Sequence, residues 1–149
     1  MYLNERSFIM MPAGRYYIGD LCYVMTDKEW DEFCALTIVD HDCVHGEFTF
    51  EDGRRFATYG TKWGDGLYRS NINTKHSVDA GLIGCIRLNE INIEKLNEEE
   101  MERLGAIVDF PHDFITREED GKITFGRVTI DTDSDEDMYD EDEDEEYEY

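Results

Sequence analysis

The run from Asp131 to Tyr149 holds thirteen acidic side chains and no basic one, and this limits what the rest of the chain can be. Like charges at that density repel, and too few aliphatic side chains are present to bury the surface that would offset the entropy of ordering. The segment is therefore expected to be disordered on its own. What folds must lie in residues 1–130, a usual size for one domain with a sizeable core and no need of staples. The expected organisation is one globular domain, 1–130, and an acidic tail, 131–149.

Charge also narrows function. The chain has 37 acidic and 14 basic residues; setting aside the tail's thirteen acids leaves twenty-four against fourteen, so the domain is acidic too. Phosphate backbones and anionic membranes are bound through Lys and Arg, so direct nucleic-acid or membrane binding is not expected. The N-terminal MYLNERSFIMMPAG lacks the basic stretch and apolar run of a signal peptide, and nowhere do eighteen apolar residues run together. Cys22, Cys34, Cys43 and Cys85, without secretory context, read as reduced thiols in a cytoplasm.

Patterning predicts an α+β domain: a mainly antiparallel, strongly bent sheet with two packed helices. Arg15–Asp20 and Leu21–Met25 read as extended segments broken at Gly19-Asp20. Thr26 and Glu29 have capping-box spacing, and Trp30, Phe33, Cys34 and Ile38 recur at helical intervals up to Val39. Asp52-Gly53 and Asp120-Gly121 mark hairpin turns. About two short strands fit between Tyr59 and Asp79, and the apolar run Leu82–Leu88 suits a central strand. Asn92 is expected to cap a second helix, Ile93–Leu104, closed by Gly105. Past it, Ala106–Phe110 and Phe114–Thr116 look extended. In Lys122–Ile130 the apolar parity changes near Gly126, which suggests a bulge or twist.

Three segments then stand out: Tyr16-Tyr17-Ile18-Gly19-Asp20-Leu21-Cys22-Tyr23, Tyr59-Gly60-Thr61 with Gly64-Asp65-Gly66, and Val78-Asp79-Ala80-Gly81-Leu82-Ile83-Gly84. This pattern resembles a family of small uncharacterised bacterial and bacteriophage proteins. The resemblance spans about residues 15–86. It implies a phage or prophage origin, hence a host cytoplasm, and no established activity.

Several side-chain groups are candidate sites. Asp20, Asp65 and Asp79, each beside or near glycine, offer three carboxylates for a metal-dependent or acid–base site, or for capping their own turns. His41, Cys43 and His45 alternate, so a strand would put all three on one face as zinc ligands; the plainer reading is a polar connection, with no metal or cofactor. Arg54, Arg55, Lys62 and Arg69, with Tyr59, Trp63 and Tyr68 as stacking surfaces, outline a groove for an anionic ligand or for the protein's own tail. Cys22 has no adjacent histidine or cation and reads as packing.

The tail supports the sharpest expectation. Extended at ~3.4 Å per residue it spans about 65 Å, roughly one charge per 5 Å. Duplex DNA has one charge per about 1.7 Å, so the tail imitates a single strand better than a duplex. Its acids Asp135, Glu136, Asp137, Asp140, Glu141, Asp142, Glu143, Asp144, Glu145, Glu146 and Glu148 are punctuated by Tyr139, Tyr147 and Tyr149. Aromatic faces spaced along anions suit a groove built for single-stranded nucleic acid. The expected role is a non-enzymatic nucleic-acid mimic that modulates a basic host protein such as a polymerase, transcription factor or defence nuclease. The alternatives are a solvating tail, and a small ligand-binding protein or enzyme built on the glycine–aspartate loops.

Overall fold

Strands that are apolar on both faces belong between two packed layers, and three strands of this chain have that property. The structure, a computed structural model, describes residues 9–40, 42–91 and 96–132. Its strands are β1 (Ile9–Met11), β2 (Gly14–Gly19), β3 (Ile38–Val39), β4 (Asp42–Cys43), β5 (Gly46–Thr49), β6 (Arg55–Gly60), β7 (Gly66–Arg69), β8 (Lys75–Val78), β9 (Leu82–Arg87), β10 (Ala106–Phe110), β11 (Phe114–Glu119), β12 (Lys122–Phe125) and β13 (Val128–Asp131). The helices are α1 (Asp27–Thr37) and α2 (Glu98–Leu104). The fold is α+β and dominated by antiparallel strands. These are divided between a five-stranded sheet ordered β10-β2-β9-β6-β5, a four-stranded sheet ordered β1-β11-β12-β13, and the ribbons β3-β4 and β7-β8.

The five-stranded sheet is the middle layer. On β2, Tyr16 and Ile18 enter a core shared with Phe114, Ile123, Phe125, Val128 and Ile130 of the four-stranded sheet, while Tyr17 points the other way to a core containing Phe33 and Met101 of the helices. β6 and β9 divide likewise, Ala57, Ile83 and Cys85 to one side and Phe56, Leu82 and Ile86 to the other. Fully burying such a side chain contributes about 1.5–3 kcal/mol, which makes these three strands the centre of the domain.

Local signals explain most boundaries. The capping box is present: Thr26 Oγ1 accepts from the Glu29 amide at 3.1 Å, and Glu29 Oε1 accepts from the Thr26 amide at 2.9 Å. Trp30 stacks on Phe33 at 4.5 Å. The Asp52-Gly53 turn joins β5 to β6, with Gly53 at φ 97°. β7 and β8 fill the interval between Tyr59 and Asp79, and β9 lies mid-sheet.

Four expectations are corrected. Leu21–Val24 is a 3-10 turn, because the Asp20 side chain caps it at the Cys22 amide. Helix α1 stops at Thr37; Ile38 enters a strand and stays exposed. Within the described residues the second helix begins at Glu98, where Asn97 accepts from the Glu100 amide at 2.9 Å and three glutamates favour the positive end of the helix dipole; residues 92–95 lie outside the described residues. Finally, Gly126 at φ 60° makes a reversal rather than a bulge. Phe125 pairs with Val128 and Ile123 with Ile130, so a two-residue turn switches parity while keeping all four on the core face.

The folded chain also runs past residue 130. Asp131 closes β13, and Thr132 is buried, its amide and hydroxyl both donating to Gly121 O. The Lys62 amide donates to Thr132 Oγ1 at 3.0 Å. Residues 133–149, the tail acids and tyrosines among them, lie outside the described residues.

Candidate functional site: the glycine–aspartate corner

The three glycine- and aspartate-bearing segments meet at one corner of the middle sheet. Gly60 pairs with Leu82 across β6 and β9, and the Thr61 amide donates to Gly81 O at 3.0 Å. Thr61 Oγ1 and Tyr68 OH both donate to Gly64 O, at 2.7 and 3.0 Å, tying the following loop to the same place.

Asp20 joins them. It is fully buried; Oδ2 accepts from the amides of Asp79 and Ala80, each at 2.7 Å, and Oδ1 accepts from the Cys22 amide at 3.0 Å. A carboxylate that accepts amides from two separate segments bridges them. Asp65 and Asp79 extend from the neighbouring loops with exposed side chains. Gly84 serves packing as well: a Cβ there would stand 2.3 Å from Ala57 O and 2.9 Å from the Leu21 side chain.

Cys22 lies half-buried beside this carboxylate. Burial pushes its thiol well above the ordinary range; the charge of Asp20, which accepts the thiol's hydrogen bond, pushes it further, and Asp79 and Asp65 add to the effect. All three aspartates therefore act on one thiol and keep it protonated.

A cleft of about 600 Å³ opens beside the corner, lined among others by His45, Thr61, Lys62, Gly81, Glu118 and Asp120. Its lining mixes one lysine with two carboxylates, so it has no single-sign field to focus a charged ligand.

The seven residues of the proposed anion groove do not make one surface. Arg54 donates to Glu29 Oε2 at 2.7 Å, to Glu90 O at 2.9 Å and to Asp52, and lies 4.8 Å above the Phe50 ring. It fastens α1 to the hairpin. Arg55 pairs with Glu47 and reaches Met10 O at 2.9 Å. Tyr59 and Tyr68 are buried, the first with its hydroxyl 2.7 Å from Thr116 Oγ1. Lys62, Trp63 and Arg69 are the exposed members, so stacking faces for an outside ligand reduce from three to Trp63.

Of the proposed zinc set, His41 and the Cys43 side chain lie outside the described residues. His45 is exposed; its ring meets Tyr59 edge-on at 6.3 Å. Among the described residues no three His, Cys, Asp or Glu side chains are grouped to hold a metal ion.

One polar network has no forerunner in the sequence reading. His76 is fully buried, with Nδ1 3.1 Å from Ile18 O and Nε2 2.7 Å from Thr74 Oγ1, which lies 2.6 Å from Ser70 Oγ. Burial lowers its pKa from 6.5 to about 4. The only signal in the sequence is Ser70, Thr74 and His76 in a segment with no apolar period.

No protein-family model matches the chain, and searches of curated proteins and of solved structures find no match either. Among the described residues no helix is long and apolar enough to cross a membrane.

Proposed function

We propose that this chain is a non-enzymatic, phage-related interaction protein whose acidic tail, presented by an acidic domain, engages a basic surface on a host nucleic-acid-handling protein in the host cytoplasm and competes there with single-stranded nucleic acid. The observation that carries the reading is the run of thirteen acids without a base, interrupted by Tyr139, Tyr147 and Tyr149. The geometry of the corner supports this reading: Asp20 accepts three backbone amides and thereby joins loops, and burial with neighbouring carboxylates raises the pKa of the Cys22 thiol.

The domain contributes a firm base for the tail. Thr132 is bonded to two separate loops, so the acidic run starts from a fixed point rather than from a fraying strand end. Association steered by this many charges is fast and falls steeply with salt.

The test compares the full chain with one ending at Thr132 in capture from a bacterial lysate, followed by competition of the captured protein against a fluorescent single-stranded oligonucleotide. The full chain is expected to retain a nucleic-acid-binding protein that the shortened chain loses, and to displace the oligonucleotide. Identical partner sets, or a captured protein whose oligonucleotide binding is undisturbed, would refute the proposal.

A further inference from the structure

The hydroxyls around His76 leave its protonation state no freedom. Ser70 Oγ accepts two backbone amides, those of Ile72 and Thr74, each at 3.1 Å, which uses both of its lone pairs. Its own proton must therefore go to Thr74 Oγ1, and the Thr74 proton to His76 Nε2. Ile18 O can only accept, so Nδ1 holds the ring proton. The relay runs in one direction and requires a neutral imidazole.

The same turn covers a sheet edge. Asn71, next to Ser70, donates its amide to Thr129 O at 2.9 Å, accepts the Thr129 amide on Oδ1 at 2.8 Å, and donates its side-chain amide to Arg127 O at 3.0 Å. Ser70 also bridges to Ile130. β13 is the outer strand of its sheet, so Asn71 supplies the partners that an edge strand otherwise leaves open.

We propose that His76 is an acid-sensitive latch: taking up a second ring proton breaks the Ser70–Thr74–His76 relay, swings out the tip of the β7–β8 ribbon, and uncovers the backbone of β13. With Nε2 protonated, Thr74 loses the acceptor for its own hydroxyl proton, and Ser70 Oγ has no lone pair left to replace it. A charged ring in this buried place lacks water, and outward movement of the turn that seats Asn71 restores it.

Among the described residues no carboxylate bonds to either ring nitrogen. Both ring nitrogens are already bonded to neutral groups. Tyr68, directly across the ribbon, and Tyr16 and Tyr17 on β2 are buried phenols. Asp20, just past β2, is held by three amides. On the ribbon itself Arg69, Lys75 and Asp79 are exposed; α2, packed against β8, keeps Glu98, Glu99, Glu102 and Arg103 exposed and Glu100 half-buried; Asp131 of β13 is half-buried. The lowered pKa of the ring agrees with this setting.

Hydrogen exchange on the full chain, corrected for intrinsic rates, tests the latch. Between pH 7 and pH 4 the amides of Asn71 and Thr129 should lose protection on the order of 100-fold through an opening that low urea does not accelerate, while those of Leu82–Arg87 stay more protected and exchange by the urea-dependent global route. His76→Gln, which cannot be protonated, should abolish the selective loss. Should that variant not fold, Thr74→Val leaves Nε2 without its donor and should move the release to higher pH, with ring titration followed by nitrogen NMR. The same urea-dependent route for β9 and the ribbon, unchanged protection of Asn71 and Thr129 in the native protein, or an unshifted midpoint in Thr74→Val overturns the proposal.

Discussion

Replacing Asp20 separates a structural carboxylate from a reactive one by the sign of the effect. In the native protein it accepts three amides at 2.7, 2.7 and 3.0 Å from a fully buried position. A hydrogen bond to a charged group contributes about 1.5–3 kcal/mol, and leaving a buried donor unpaired costs a similar amount. Two of the three bonds share Oδ2 and so are not independent. Asp20→Ala is therefore expected to destabilise by about 3–5 kcal/mol, a third or more of a typical domain's stability. Asp20→Asn retains one acceptor oxygen and should cost less, about 1–2 kcal/mol, since its amide group then opposes one N–H donor. Urea unfolding at pH 7, followed by tryptophan fluorescence and extrapolated with a common slope, reads the difference. A cost under about 1 kcal/mol for Asp20→Ala would refute the bridge. A gain in stability would argue instead for a carboxylate held under strain for chemistry.

Gly84→Ala forces a Cβ to within 2.3 Å of Ala57 O; backbone in the middle sheet must shift, and thermal unfolding should report a loss of about 1–3 kcal/mol. A chain ending at Ile130 lacks the Thr132 bonds to Gly121 and Lys62 and should be less stable by about 1–2 kcal/mol than one ending at Thr132, measured by urea midpoint. Stability should also depend on pH through His76. Its folded pKa is lowered from 6.5 to about 4, so the unfolded chain takes up the proton first as pH falls. This contribution is complete above pH 6.5 and declines by about 3 kcal/mol down to pH 4; His76→Gln should flatten the stability profile in that window.

Features settled within a few residues could be recognised directly. Thr26 and Glu29 meet because helical geometry brings positions three apart together, and Asp52-Gly53 turns because glycine admits a left-handed backbone. Leu82–Leu88 was recognisable as a central strand because both its faces are apolar. The same local logic missed a turn made by a side chain bonding back to its own backbone. Leu21–Val24 looked extended, but Asp20 reaches the Cys22 amide and winds it into a turn. The parity change at Gly126 was visible, yet whether a glycine bulges or reverses a strand depends on the partner strand's register.

Composition alone was enough to establish the acidic run at residues 131–149 and the net charge of −23, because charge adds up whatever the fold. The roles of single residues in the domain depended on tertiary structure. Asp20 finds its amides 59 and 60 residues away, Arg54 finds Glu29 25 residues back, and His76 lies against Ile18, 58 residues away. A hydrogen bond depends on distance in space, and only folding brings such partners within reach. It is folding, too, that makes Asp20 a bridge between loops and buries His76 in a hydrogen-bonded network.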